Sequence, residues 1–408
     1  MMAYREAPVS TVPKLDRRKF INVVGAGSLV AAANAAPGLA AGLEMPPAPR
    51  LDPDAPLRIG MIGRTGHLGY VLNELDTVSK ARIAAYAFED GDWTFNSDGS
   101  SRADHIGTSY DMDRQREWVG GQAWSKSNPT HYETYQEMLE KEKLDLAVVC
   151  LPYARNALAI CAAAEAGLDI LSEKPVAVTR SDLNMVERTV RSTGVRLSAM
   201  FAMRYASPIY TVWRAVGQGK IGKPCLARAQ KSYKWGDGRP WFYNDRAIYG
   251  STILWVGIHA VDYLRWCTGL EVRRVSGFHS NLAHPESPDA QDNAVISLEL
   301  ENGATAAITM DYLRPETAPT HGDDRIRIAG SIGIVESLAE EGTVELVTRE
   351  KKPHEIKLEK PELSLFADFV GELRGQRSSL IGPEEAVRVT RICIAATEAA
   401  ENHETITV

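Results

Sequence analysis

Residues 168–177 read Leu-Asp-Ile-Leu-Ser-Glu-Lys-Pro-Val-Ala, an apolar run that closes on Glu173-Lys174-Pro175. Such a run fits a buried parallel strand whose carboxyl end reaches the rim of its sheet, where open α/β sheets bind their ligands. Pro175 has no backbone donor and keeps the residue before it out of the helical region, so Lys174 does not simply begin a helix. The tripeptide alone also fits a surface Glu-Lys pair beside a loop proline. Its neighbours decide.

Upstream, Leu57-Arg-Ile-Gly-Met-Ile62 is a β-type run followed at once by Gly63-Arg64-Thr65-Gly66-His67-Leu68-Gly69 and a helical pattern over 70–79. Strand, glycine turn and helix in that order let backbone approach a pyrophosphate, although G-x-x-G-x-x-G is a weaker fingerprint than G-x-G-x-x-G. A second strand over 82–88 ends at Glu89-Asp90. An acidic residue there suits a ribose 2′-hydroxyl and favours NAD, while Phe88 and Arg64 leave NADP open. Residues 91–130 are polar, carry Trp93, Trp118 and Trp124, and read as an insertion over the cofactor or against a neighbouring subunit. Beyond them come a helix (132–141), a strand (144–151) before Pro152, an Ala-rich helix (156–166), the opening strand, a helix (181–192) and a strand (195–203). This alternation predicts a doubly wound parallel sheet.

From Arg204 the texture changes. After a helix over 208–217, alternating runs at 225–233, 272–279, 294–300, 304–312, 325–329, 332–337 and 343–348 predict a large, mostly antiparallel sheet with one face packed. Two helices, 364–375 and 383–402, close the chain. At 408 residues, two domains are the natural division.

Net charge of −7 without a long basic block argues against nucleic-acid binding. Five scattered cysteines make no C-x-x-C pair, and no His/Cys/carboxylate cluster has ligand spacing, so no metal is expected. At the N-terminus, Asp16-Arg17-Arg18-Lys19-Phe20-Ile21 leads into an Ala/Gly-rich segment ending near residue 41. This reads as a twin-arginine-type signal peptide, with a linker over 42–56 and no stable membrane span after it. Periplasmic export follows as an expectation.

The ordered set of glycine turn, Leu151-Pro152, Glu173-Lys174-Pro175, Arg204 with Pro208, Gly219-Lys-Ile-Gly222 and Gly257-Ile-His259-Ala-Val-Asp262 resembles the Gfo/Idh/MocA oxidoreductases, from about residue 57 onward. The resemblance implies a Rossmann domain over 57–203, a C-terminal α/β domain over 204–408 whose last helix packs back on the first, and a homodimer or homotetramer through the large sheet. It implies NAD or NADP held by Gly63, Arg64, Thr65, Gly66, His67, Leu68, Glu89, Leu151, Pro152, Glu173, Lys174 and Arg204. It also implies a carbohydrate or polyol substrate at Lys174, Trp255, His259 and Asp262. Lys174 and His259 are then the catalytic pair: the ammonium favours a developing alkoxide and the imidazole shuttles the hydroxyl proton. Asp262, one helical turn on, either orients His259 or makes a structural bond.

Trp255 departs from the pattern, since many relatives carry an aspartate four residues before the histidine. An indole has only a donor to offer. Either Lys174 and His259 suffice, or another acid, as in His321-Gly-Asp323-Asp324, takes the carboxylate's place; Trp255 then stacks on a sugar face beside Trp235, Trp241 and Tyr243, or packs in the core. Asn156 stands where many relatives have histidine. The leading expectation is an exported NAD(P)-dependent oxidoreductase acting on a sugar, sugar acid or cyclitol. Its rivals are an NAD-dependent glycoside hydrolase working through a transient keto-sugar and a degenerate sugar-binding protein.

Overall fold

The computed structural model describes residues 51–88, 119–236, 239–338 and 342–408. Glu89, Trp93, Trp118 and the signal lie outside them. Strands β1 (Leu57–Ile62), β2 (Ala81–Ala87), β3 (Thr130–Tyr132), β4 (Leu146–Val149), β5 (Asp169–Ser172) and β6 (Leu197–Ala199) form one sheet in the order β3-β2-β1-β4-β5-β6. All its pairings are parallel. The core strands β4 and β5 are buried on both faces, which is why they read as unbroken apolar runs. Strand order reverses between β1 and β4, the position where doubly wound sheets open a crevice.

The helix expected over 70–79 is instead one turn, Gly69–Leu72, followed by a 3₁₀ turn, Leu75–Thr77. Val71, Leu75 and Val78 still face the core, but the Thr77 hydroxyl donates to Glu74 O at 2.6 Å and tightens the last turn. The strand expected over 195–203 stops at Ala199. A 3₁₀ turn, Ala202–Tyr205, then carries Arg204 into the second domain.

That domain holds a nine-stranded sheet of β7 (Pro224–Lys234), β8 (Val272–Ser280), β9 (Asn293–Leu300), β10 (Thr305–Arg314), β11 (Gly322–Gly330), β12 (Gly333–Leu338), β13 (Thr343–Thr348), β14 (His354–Glu355) and β15 (Ile406–Thr407). The order is β14-β13-β12-β11-β7-β10-β9-β8-β15, antiparallel throughout except β7 against β10. Period-two alternation puts Ala227 and Ala229 of β7, Ile308 and Met310 of β10 and Ile326 and Ile328 of β11 on the packed face. The helix Ile258–Thr268 lies on that face, and a π-turn, Ile253–Gly257, leads into it. Gly257 is required there: a Cβ would run into Met310 Sδ, so only glycine lets the helix start lie flush on β10. The final helix, Glu385–Asn402, reaches the first domain through Arg391 with Glu187 and Glu398 with Arg180. Among the described residues no helix is long and apolar enough to cross a membrane.

Candidate active site

The glycine turn leaves the carboxyl end of β1 beside the ends of β4 and β5. Thr65 N donates to Cys150 O at 2.7 Å, which pins the turn to the residue after β4. Gly66 has φ of 82°, and a Cβ on it would lie 2.8 Å from the Glu173 carboxylate. Only glycine therefore lets the turn close over that side chain. Glu173, fully buried, accepts from His67 N at 3.3 Å and pairs with His67 Nδ1 at 2.7 Å. Asn156 ties the next two rims together: its Oδ1 accepts from Leu151 N at 3.0 Å and its Nδ2 donates to Pro175 O at 3.1 Å. In this chain an amide does that structural work where histidine was the expected residue.

Lys174, 1% exposed, donates from Nζ to Trp255 O at 2.9 Å, and the ammonium lies 3.1 Å from the centre of the Trp255 ring. Tyr153 stacks on the same indole at 4.2 Å. With an ammonium and a phenol ring this close, Trp255 is crowded by protein, which favours core packing over a sugar stack: it is a buried platform for Lys174. His67 stacks on Trp255 at 5.5 Å and meets His259 edge-on at 5.9 Å. Lys174, from the parallel sheet, and His259, from the helix over the large sheet, thus face one cluster.

Two consequences are electrostatic. Burial, reinforced by Lys231 and opposed by Glu173, pushes Lys174 down to about 7. Burial also holds His259 well below its usual range, helped by Lys174, Lys231 and His67. Lys174 thus lies near neutrality, while burial keeps the imidazole neutral, with its Nδ1 buried and, among the described residues, without a hydrogen-bond partner.

The large sheet contributes a pair absent from the expected catalytic set. Lys231 on β7 and Asp324 on β11 are direct cross-strand neighbours, joined Nζ to Oδ2 at 2.6 Å. Burial works against the Lys231 ammonium, but Tyr233 and Asp324 outweigh it and raise its pKa, so it stays charged. Asp324 Oδ1 is buried with no partner among the described residues. Of the His321–Asp324 cluster, only Asp324 turns this way; Asp323 pairs with Arg325 at 2.8 Å and His321 stacks on Tyr233. Strand parity held the signal. Lys231 continues the inward series Ala227, Ala229, and Asp324 continues Ile328, Ile326.

Arg204 and Asp262 hold each other. Arg204 donates through Nε to both Asp262 oxygens at 3.1 Å, through Nη1 to Leu380 O at 2.7 Å, and pairs with Glu385. Both side chains are buried and occupied by each other, which favours a structural role for the pair. Asp262 does not orient His259. Thr65 and Leu68 are also buried in the core beneath the turn, Leu151 and Pro152 line the rim of β4, and Gly63 N bonds Ala87 O at 2.9 Å. Arg64 is half-buried. Gly66 and Gly69 keep their backbone exposed at the switch point. That exposed backbone beside the strand reversal suits a dinucleotide.

Fold and site together define a nicotinamide-dependent oxidoreductase. The family model described as "Oxidoreductase family, NAD-binding Rossmann fold" matches residues 104–201, and the GFO/IDH/MocA C-terminal domain matches residues 209–336. A solved structure from Thermotoga maritima, assigned as an oxidoreductase, is 34% identical with a TM-score of 0.75, covering 86% of this chain and all of its own. The uncharacterized oxidoreductase YrbE of Bacillus subtilis is 28% identical over 61% of this chain and 75% of its own. The scyllo-inositol 2-dehydrogenase (NAD⁺) of the same organism is 27% identical over 49% of this chain, and the alignment spans only 56% of that enzyme. The chain belongs to the Gfo/Idh/MocA family.

Proposed function

We propose that this protein is an exported oxidoreductase that moves hydride between bound NAD(P) and a secondary hydroxyl of a sugar, sugar acid or cyclitol. The observation that carries the reading is Lys174, a buried amine brought near neutral pKa at the rim of β5, sharing one cluster with a neutral His259. The named sugar and polyol dehydrogenases among its relatives support the substrate class.

Oxidation of a secondary alcohol removes a hydride from carbon and a proton from oxygen, leaving a carbonyl. The nicotinamide, when bound, supplies the hydride acceptor. Lys174, unprotonated above about pH 7, takes the hydroxyl proton. In reduction it returns that proton from its ammonium form. His259, neutral throughout, holds the hydroxyl by hydrogen bonding. Asp324 Oδ1, without a partner among the described residues, is an acceptor for a neighbouring hydroxyl, and Lys231 holds that carboxylate in place through its other oxygen. The aromatic walls of Trp255, Tyr153 and His67 keep water from the amine.

The test is direct. Purified full chain with cofactor should gain absorbance at 340 nm when given its sugar, with the oxidised sugar as product. Glycoside cleavage without net redox change would favour the hydrolase rival, and no melting shift with either NAD or NADP would sink the reading.

Arg17-Arg18 before an Ala/Gly-rich segment supports twin-arginine export. Replacing both by Lys should retain the protein in the cytoplasm, and unchanged export would refute it. The outer face of the large sheet exposes Leu226, Phe278 and Val295, the last two directly paired, which supports assembly of copies through that face. Sedimentation of Phe278→Asp checks this, with a smaller particle expected.

A further inference from the structure

Beyond Trp255 the aromatic wall continues. The Tyr153 hydroxyl lies 3.5 Å from that of Tyr243, which lies 3.3 Å from that of Tyr312, in turn 3.4 Å from that of Tyr249. Over this wall lies Arg239, its Cζ 4.4 Å from the Tyr312 ring, 5.3 Å from Trp235 and 5.7 Å from Tyr243.

Its partners differ from those of Arg204, Arg265 and Arg314, although Arg374, which donates to Ser79 O far along the chain, likewise has a backbone acceptor. Arg204 and Arg265 each bind carboxylates, and Arg314 lies 3.7 Å from Asp323. Among the described residues no carboxylate pairs with Arg239. It donates to Lys234 O through Nη2, and its Nε is buried with no acceptor. The charged groups around this stretch are mostly cationic. Lys231, Lys234 and Arg239 all depress His321, and only Glu316 opposes them. Lys231 is already neutralised by Asp324, and Lys234 reaches only Glu316 O, so among the described residues Arg239 is the more enclosed cation of this stretch with no carboxylate. A guanidinium held partly out of water and short of acceptors is costly, and its planar fork matches a carboxylate with two parallel hydrogen bonds.

We propose that Arg239 binds a carboxylate on the substrate, so that among sugars this site selects uronates or aldonates over neutral ones. The inference rests on the oxidoreductase reading for its site, and names the substrate class within it. Tyr312 and Trp235 hold the guanidinium by cation–π contact.

The experiment measures melting of the full chain with bound NAD against D-glucuronate, D-galacturonate, D-gluconate, the parent neutral sugars, methyl glucuronate ester and glucose 6-phosphate. At least one carboxylated sugar should raise the melting temperature where its neutral counterpart does not, and Arg239→Met should weaken that binding about 10- to 100-fold. Arg239→Lys, which keeps the charge and loses the fork, should fall between them. Equal shifts with neutral sugars or the ester, a preference for the phosphate, an unaltered uronate response in Arg239→Met, or no response to any acid would each overturn the proposal. Binding is read without turnover. Failure here therefore leaves the oxidoreductase reading standing, whereas failure of that reading would appear as no sugar-dependent absorbance at 340 nm.

Discussion

Arg204 and Lys174 are both cations about 1% exposed, yet their surroundings treat them in opposite ways. Arg204 faces Asp262 and Glu385, whose carboxylates, with Leu380 O, take up its donors. Glu385 shows how strong that coupling is: burial works to raise it, but Arg204 and Arg265 hold it down at about 2. Lys174 faces an indole ring and a backbone carbonyl, with a single neighbouring carboxylate already engaged by His67. One cation is locked in its charged form; the other is left able to lose its proton. A buried charge matched by carboxylates reads as architecture, and one matched by rings and carbonyls reads as chemistry.

The largest break in that comparison should come from Lys174→Ala. Loss of a positioned general base costs about a hundred- to ten-thousand-fold in turnover. NAD-dependent melting should persist, because the glycine turn is untouched. Activity at the wild-type level would remove Lys174 from the mechanism. Because burying this amine is unfavourable to its charged form, Lys174→Met should also melt above wild type at pH 6, and this advantage should shrink as pH rises past about 7.

At Arg204 the expected effect lies in stability. Arg204→Met leaves Asp262 buried without its cation and Glu385 still paired with Arg265, and should cost about 3–5 kcal/mol. Pairing it with Asp262→Leu should recover part of that loss, since an apolar pair leaves one fewer stranded charge. Turnover per folded molecule should stay near wild type; a collapse of kcat in the folded double variant would return Arg204 to the active site. The slope with pH has the same sign as at Lys174, since both pKa values are depressed, but here a stabilising contribution is gained as pH rises where at Lys174 a penalty is lost. Glu385 has a depressed pKa, so its contribution is present above about 4.5, the ordinary value, and is lost as pH falls towards about 2.

Lys231 sharpens the comparison from within the site. Its charge is one of the influences that lower Lys174. Oxidation should accelerate with pH up to about 7 as Lys174 loses its proton, and then level off. Removing a like charge makes protonation of Lys174 easier, so Lys231→Met should move that limb to higher pH by a fraction of a unit. An unmoved limb would mean that the two amines do not sense each other.

These contrasts also show what the chain displays before folding. The parallel sheet was legible because β4 and β5 are buried on both faces and spell continuous apolar runs ended by Pro152 and by Glu173-Lys174-Pro175. Lys174 and His259 could be picked out by type and motif. The pairing of Arg204 with Asp262 was not legible, because a charged residue near a motif looks alike whether it meets ligand or counter-ion; that depends on a partner 58 residues away. The Lys231–Asp324 pair was visible only as strand parity, and its meaning came from a register that sets β7 against β11 across 93 residues. Trp255 stood out as a substitution, but its role follows from Tyr153 and Lys174 covering it, which no local pattern encodes.

The smallest of the expected effects is at Asn156, which joins the rims of β4 and β5 without touching either cation. Asn156→Ala strands Leu151 N and Pro175 O, and a buried unmet polar group costs about 1–3 kcal/mol. Lys174 is covalently next to Pro175, so loosening this tie should blur where its amine sits before it changes its charge. The expected signature is a lowered melting temperature and a modest fall in kcat, with the pH limb still near 7. If the limb instead moved towards the ordinary lysine value, Asn156 would be acting on the dielectric around Lys174, and the separation between architecture and chemistry would need a bridge at this amide.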